Sequence, residues 1–180
     1  MSKYIALLRG INVSGQKKIL MADLRELLSS FRNVKTYIQS GNVIFESDTK
    51  NVKKLAQYIK DKIHKKYGFE VPVIVKTTEE LLQTFNNNPF LKESAIDIKQ
   101  LYVTFLSETP SKENVKIMNQ IDYSPDIFVI QNNLIYSCYP NGAGRSKMTI
   151  NVFEKKLEVS ATSRNWNTVT KLLTLSSLIT

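Results

Sequence analysis

The first apolar positions fall in one short run, KYIALLRG (3–10), and a run of this length closed by Arg-Gly predicts a buried strand. From 21 to 31 the period changes, and Leu24, Leu27, Leu28 and Phe31 recur at helical spacing. Two β-rich runs, VKTYIQ (34–39) and NVIFES (42–47), are joined by Ser40-Gly41 and predict a hairpin. Residues 50–67 carry Val52, Leu55, Ile59 and Ile63 on one helical stripe that Gly68 ends. VPVIVKT (71–77) is the next strand, and TEELLQTFNN (78–87) is a short helix that stops before Asn88-Pro89-Phe90. Through residue 77 the order is β-α-β-β-α-β, the split-βαβ order of ferredoxin-like folds.

The same order returns in the second half. KQLYVTFL (99–106) reads as a strand and SKENVKIMNQI (111–121) as a helix with Val115, Met118 and Ile121 on one face. DIFVIQ (126–131) and NLIYSCYP (133–140) form a hairpin about Asn132-Asn133, a pair that tolerates positive φ. A helix over 148–159, a short strand over 160–163 and a last helix over 165–179 complete it. The pattern therefore predicts an α+β protein of two ferredoxin-like subdomains (β-α-β-β-α-β-α) packed together, 1–88 and 98–180, with 89–97 as the connection. The two halves share a pattern but no convincing residue-level identity.

Topology then gathers the polar loops. With strand order 4-1-3-2, the loop after the first strand (9–18) and the first hairpin (39–42) lie at one end of the first sheet. In the second half, the loop after the third strand (141–147) and the segment 162–167 share an end in the same way. If these ends meet, they form one composite site. It would be lined by Arg9, Asn12, Gln39, Ser40, Asn42, Arg145, Ser146, Lys147, Arg164, Asn165 and Asn167, with Trp166 as a wall. Three of the five arginines fall in these segments, and arginine grips carboxylate or phosphate through a planar fork of donors. The structural alternative is that Arg and Asn tie loops to backbone carbonyls while Gly10, Gly15 and Gly41 serve turn geometry.

Charge divides the chain unevenly. The formal net charge is +9, and residues 1–78 hold 15 Lys and Arg against 6 Asp and Glu, whereas 79–180 balance at ten of each. Six lysines (53, 54, 60, 62, 65 and 66) lie along the helix over 50–67. They read either as a solvated face or as a footprint for nucleic acid. In the second case, folds of this strand order stack bases on aromatics of the first and third strands, here Tyr4 and Phe45. One cysteine, Cys138, and one histidine, His64, exclude a disulfide framework and a zinc site built on His and Cys. No apolar run reaches the ~20 residues that span a bilayer, no signal sequence is evident, and a cytoplasmic protein with no membrane partner is expected.

Motif tests return negatives. Gly144-Arg145-Ser146-Lys147 lacks P-loop spacing, and neither a dinucleotide fingerprint nor a nucleophile elbow is present. The site segments contain no carboxylate, so paired-carboxylate chemistry and magnesium binding are disfavoured, and neither metal nor cofactor is expected.

Blocks along the chain, YIALLRGINVSGQKKILMADLRELL, VKTYIQSGNVIFES, NPF, VTFL, GRSKMT and ATSRNWNTVTKLLTL, resemble the bacterial domain-of-unknown-function family numbered 1697. The resemblance runs from residue 4 to about 175 and implies two α/β subdomains without an established activity. Two departures stand out, because the family usually has glycine where Ser14 and Glu158 stand. Three readings follow. The first is a binding module for a phosphorylated or nucleotide-like anion at the composite loops. The second is nucleic-acid binding by the basic half. The third is an enzyme that uses Arg and Lys to stabilise an anionic transition state, with Ser or Lys147 as reactive group. A monomer or weak homodimer is expected, and catalytic residues are not identified.

Overall fold

A computed structural model describes residues 1–178. It contains two four-stranded antiparallel sheets with helices, and contacts divide the chain into two units. The first comprises Met1–Leu82 with the described residues from Leu172, and the second Gln83–Lys171.

In the first unit the strands are β1 (Ser2–Leu8), β2 (Arg32–Tyr37), β3 (Asn42–Ser47) and β4 (Val73–Thr77), in the order β2-β3-β1-β4. Every neighbouring pair is antiparallel, with Leu7 opposite Asn42 on one side and Ile74 on the other. Side chains alternate across a strand. Tyr4, Ala6 and Leu8 therefore share the face that packs with Val43, Phe45 and Val75 beneath two helices, α1 (Met21–Leu27) and α2 (Val52–Tyr67). Helix α2 is long because both ends are capped. The Asn51 side chain accepts from the Lys54 amide, and Gly68 stops the helix at φ 74°.

Helix α1 is shorter than the 21–31 that periodicity suggests. The Ser29 amide donates to Glu26 and the Phe31 amide to Leu28, so the chain tightens into turns at the serine pair. Phe31 still packs inward, stacked on Phe45 with ring centroids 4.4 Å apart. Strand β2 also ends early, at Tyr37 rather than 39, because Ile38 turns to φ 49°. Between Arg32 and Lys35 its register slips against β3, with Asn33 at φ 52°. Helix α3 (Thr78–Asn86) follows β4 without a loop, opened by a capping box in which Thr77 and Glu80 each accept the other's amide.

The second unit repeats the arrangement with β5 (Leu101–Leu106), β6 (Ile127–Gln131), β7 (Leu134–Cys138) and β8 (Ala161–Asn165), in the order β6-β7-β5-β8 and again antiparallel throughout. Helices α4 (Lys112–Asn119) and α5 (Ile150–Leu157) cover the face carrying Leu106, Ile135 and Ala161. On the opposite face the Tyr136 hydroxyl donates to the Thr84 carbonyl of α3. There, too, Trp166 at the start of α6 (Trp166–Leu175) stacks on Phe85 at 5.0 Å. The sequence predicts the last helix over 165–179; α6 ends at Leu175, and Ile179 lies outside the described residues. The strand expected over 160–163 reaches Asn165, so β8 absorbs Arg164 and α6 follows directly.

Candidate functional site

In the first unit the predicted residues form the stitching of one end of the sheet. Asn12 Nδ2 donates to the carbonyls of Ile19 (2.9 Å) and Gln39 (2.8 Å), while its Oδ1 accepts from the Ile19 amide. One side chain thus ties the loop after β1 to the β2–β3 hairpin. Gly41 closes the same seam. It sits at φ 92°, and a Cβ there would come within 2.7 Å of Leu8 Cβ and 2.9 Å of Ile11 Cδ1, so only glycine fits. Asn42 is fully buried, with Nδ2 donating to the Tyr37 carbonyl. The Arg9 amide donates to Pro72, and Gln39 and Ser40 are exposed on the hairpin. Tyr4 and Phe45 lie inside the core with ring centroids 5.7 Å apart. Buried there, they cannot stack on bases, so those two strands offer no aromatic platform for RNA.

In the second unit Gly144-Arg145-Ser146-Lys147 does not run into a helix. Ala143–Arg145 is a single 3-10 turn, the chain then extends, and α5 begins only at Ile150, capped by Thr149. Three of the loop's backbone donors are already engaged. The Arg145 amide donates to Gly142, the Ser146 amide to Ala143, and the Met148 amide to the Ser146 hydroxyl. With three amides used and no helix opening at the loop, it lacks the form of a phosphate cradle at a helix N-terminus.

What this loop does build is one wall of a cleft of about 400 Å³. Arg145, Ser146 and Lys147 line it from one side, and the turn from Ile121 to Asp126 lines it from the other. That turn brings Asp122 and Asp126 to the cleft, so this cleft, unlike the loops gathered from the sequence, carries carboxylates. Asp122 Oδ1 accepts from the Ser124 hydroxyl (2.6 Å) and amide (2.9 Å), and these two donors hold its carboxyl below the usual range. Spacing in the sequence offered no signal for this pairing, because some twenty residues and the β6–β7 hairpin separate the two walls.

Arg164, Asn165 and Trp166 sit in regular structure. Arg164 is 7% exposed, and its Nη1 donates to Thr162 Oγ1 (2.9 Å) and the Ser163 carbonyl (2.7 Å). Burial pushes its guanidinium down to about 10, which leaves it charged at neutral pH. Across the sheet it shares a row with Val103 and Tyr136. Asn165 Oδ1 accepts from the Thr168 amide and caps α6, Trp166 is buried against Phe85, and Asn167 is exposed. Burial also raises the Cys138 thiol, and His64 is exposed beside Glu70 (Nδ1–Oε1 3.0 Å). No group of three or more metal-ligating side chains occurs among the described residues.

These features define an α+β protein of two similar sheet-and-helix units whose polar segments are mostly structural and whose second unit carries a mixed-charge cleft. The chain belongs to the family described as protein of unknown function (DUF1697), whose model matches residues 1–136. It is similar to the structure of conserved bacterial protein SP0830 from Streptococcus pneumoniae, with 21% identity and a TM-score of 0.76, over 96% of this chain and 97% of that one. That likeness establishes the fold. No curated protein matches the chain.

Proposed function

We propose that the protein binds a small anionic molecule of phosphorylated or nucleotide-like type in the cleft between the 121–126 turn and the 141–147 loop. The observation that carries this is the state of Arg145 and Lys147. Both are exposed, both line the cleft, and neither forms an ion pair with a described carboxylate. A phosphate or carboxylate would meet the arginine fork and the lysine ammonium, and charge-assisted hydrogen bonds of this kind are the strong ones. Asp122 and Asp126 on the opposite wall favour a ligand that also presents N–H or O–H donors, as a nucleobase, amine or sugar does. The test is a titration with inorganic phosphate and with nucleoside monophosphates, followed by amide chemical shifts. Shifts confined to 121–126 and 141–147 are expected. The double variant R145A/K147A should weaken binding at least tenfold, since each charged hydrogen bond contributes about 1.5–3 kcal/mol. Its thermal midpoint should be unchanged. Equal affinity in the variant, or no shifts in the parent, refutes the reading.

A further inference from the structure

The end of the first unit that Asn12 and Gly41 stitch together carries three large aliphatic side chains in water. Val13 is 56% exposed, Leu20 69% and Ile38 46%. They lie on neighbouring segments. Asn12 bonds the carbonyls of both Ile19 and Gln39, the residues adjoining Leu20 and Ile38. Val13 opens a tight turn, accepting the Gln16 amide at 2.9 Å.

Two of the three, Leu20 and Ile38, occupy places where local physical chemistry favours something else. Leu20 is the N-cap of α1, with φ −70° and ψ 138°, and it supplies no side-chain acceptor. Serine or aspartate there would satisfy an orphan amide and stabilise the helix. Ile38 is β-branched at φ 49°, a conformation that glycine or asparagine takes far more readily. Val13 is flanked by Asn12 at φ 55° and Ser14 at φ 50°, in a turn held in left-handed backbone. Stability alone selects against Leu20 and Ile38, and such local conflicts concentrate where a surface is used.

The same end is cationic. Helix α2 finishes here with Lys65 and Lys66 in its last turn, and the Lys17 ammonium reaches the Glu70 carbonyl at 2.6 Å. Lys18 is exposed beside it. The acidic groups at this end are few. Glu70 lies with Oε1 3.0 Å from His64 Nδ1, and Asp23 and Glu26 lie on α1 near Tyr67, whose phenol is raised by burial and then by these two charges.

We infer that this end, through Val13, Leu20 and Ile38 with Lys18, Lys65 and Lys66 around them, docks on an anionic lipid surface. The pairing of aliphatic side chains with lysine ammoniums decides the class. Aliphatic side chains enter the interfacial region while lysines meet phospholipid charge. Single-stranded nucleic acid would ask for exposed aromatics. No spanning segment is needed for such contact, and no helix of the described residues is long and apolar enough to cross a membrane.

The test is co-sedimentation of the full chain with vesicles of phosphatidylcholine alone, or with about a third phosphatidylserine or phosphatidylglycerol. Binding is expected only to the anionic vesicles, and it should fall as salt rises. Replacing Lys18 and Lys66 by glutamine should lower partitioning about fivefold for each lysine. The informative variants are L20S and I38N, because both relieve a local conflict. Each should raise the thermal midpoint and lower vesicle binding about tenfold. Binding unchanged in these better-folded variants overturns the inference. Equal partitioning to neutral vesicles overturns it too, as does full competition by single-stranded RNA with no loss in L20S.

Discussion

At the scale of single residues, the two places where the resemblance puts glycine are both left-handed here. Glu158 ends α5 at φ 56°, and Ser14 sits at φ 50° in the loop after β1. An L side chain in this region costs about 1–2 kcal/mol, part of which glycine gives back through its freer unfolded state. The Glu158 carboxylate accepts only a long contact from Asn114 Nδ2, at 3.3 Å. Glu158→Gly should therefore stabilise the protein by about 1 kcal/mol, seen as a rise of about 2–4 °C in the calorimetric midpoint. A fall would mean that the Asn114 contact matters more than the backbone. The departures were legible in the sequence, but their meaning was not, because it depends on a dihedral angle. Arg164 shows the same limit. Its type suggested a ligand grip, yet whether an arginine meets solvent or a strand interior depends on one residue of register.

At the scale of elements, hydrophobic period placed nearly every strand and helix and failed mainly at ends. Leu55, Ile59 and Ile63 are fully or almost fully buried, as their stripe requires. Gly68 ends the helix where the sequence placed its stop, while the Asn51 cap is seen only in the structure. The failures came where a turn competes with periodicity. Examples are the Ser29–Ser30 pair after α1 and the Ser146 hydroxyl that keeps Met148 extended ahead of α5. The cleft was illegible for another reason. Its second wall is an acidic turn whose approach to Arg145 depends on the β6–β7 hairpin, not on any local motif. Ile59→Ala removes the centre of the α2 stripe from a closed core. It should destabilise the fold by about 3 kcal/mol in urea unfolding with an unchanged slope.

At the scale of the whole molecule, two units of the same topology carry different electrostatics. The first is strongly basic, and the second holds a pair of tyrosines that make it sensitive to alkali. Burial pushes Tyr136 and Tyr139 each up to about 12, and their hydroxyls donate to the carbonyls of Thr84 and Met148. Unfolded tyrosine ionises near 10. Between about pH 10 and 12 the native state therefore keeps protons that the unfolded chain has lost, so stability falls as pH rises. Two of the eight tyrosines should ionise only as far-UV dichroism is lost, and Y136F/Y139F should move that alkaline transition upward. Strand β2 bears on a different matter, the behaviour of many copies together. It is an outer strand of its sheet, and an open strand edge is a template on which a second chain can add. Its register slip at Arg32–Lys35, the left-handed Asn33 and the two flanking cations deny a newcomer a straight, uncharged ladder. The irregularity in β2 thus makes this edge of the sheet a poor template for fibril growth.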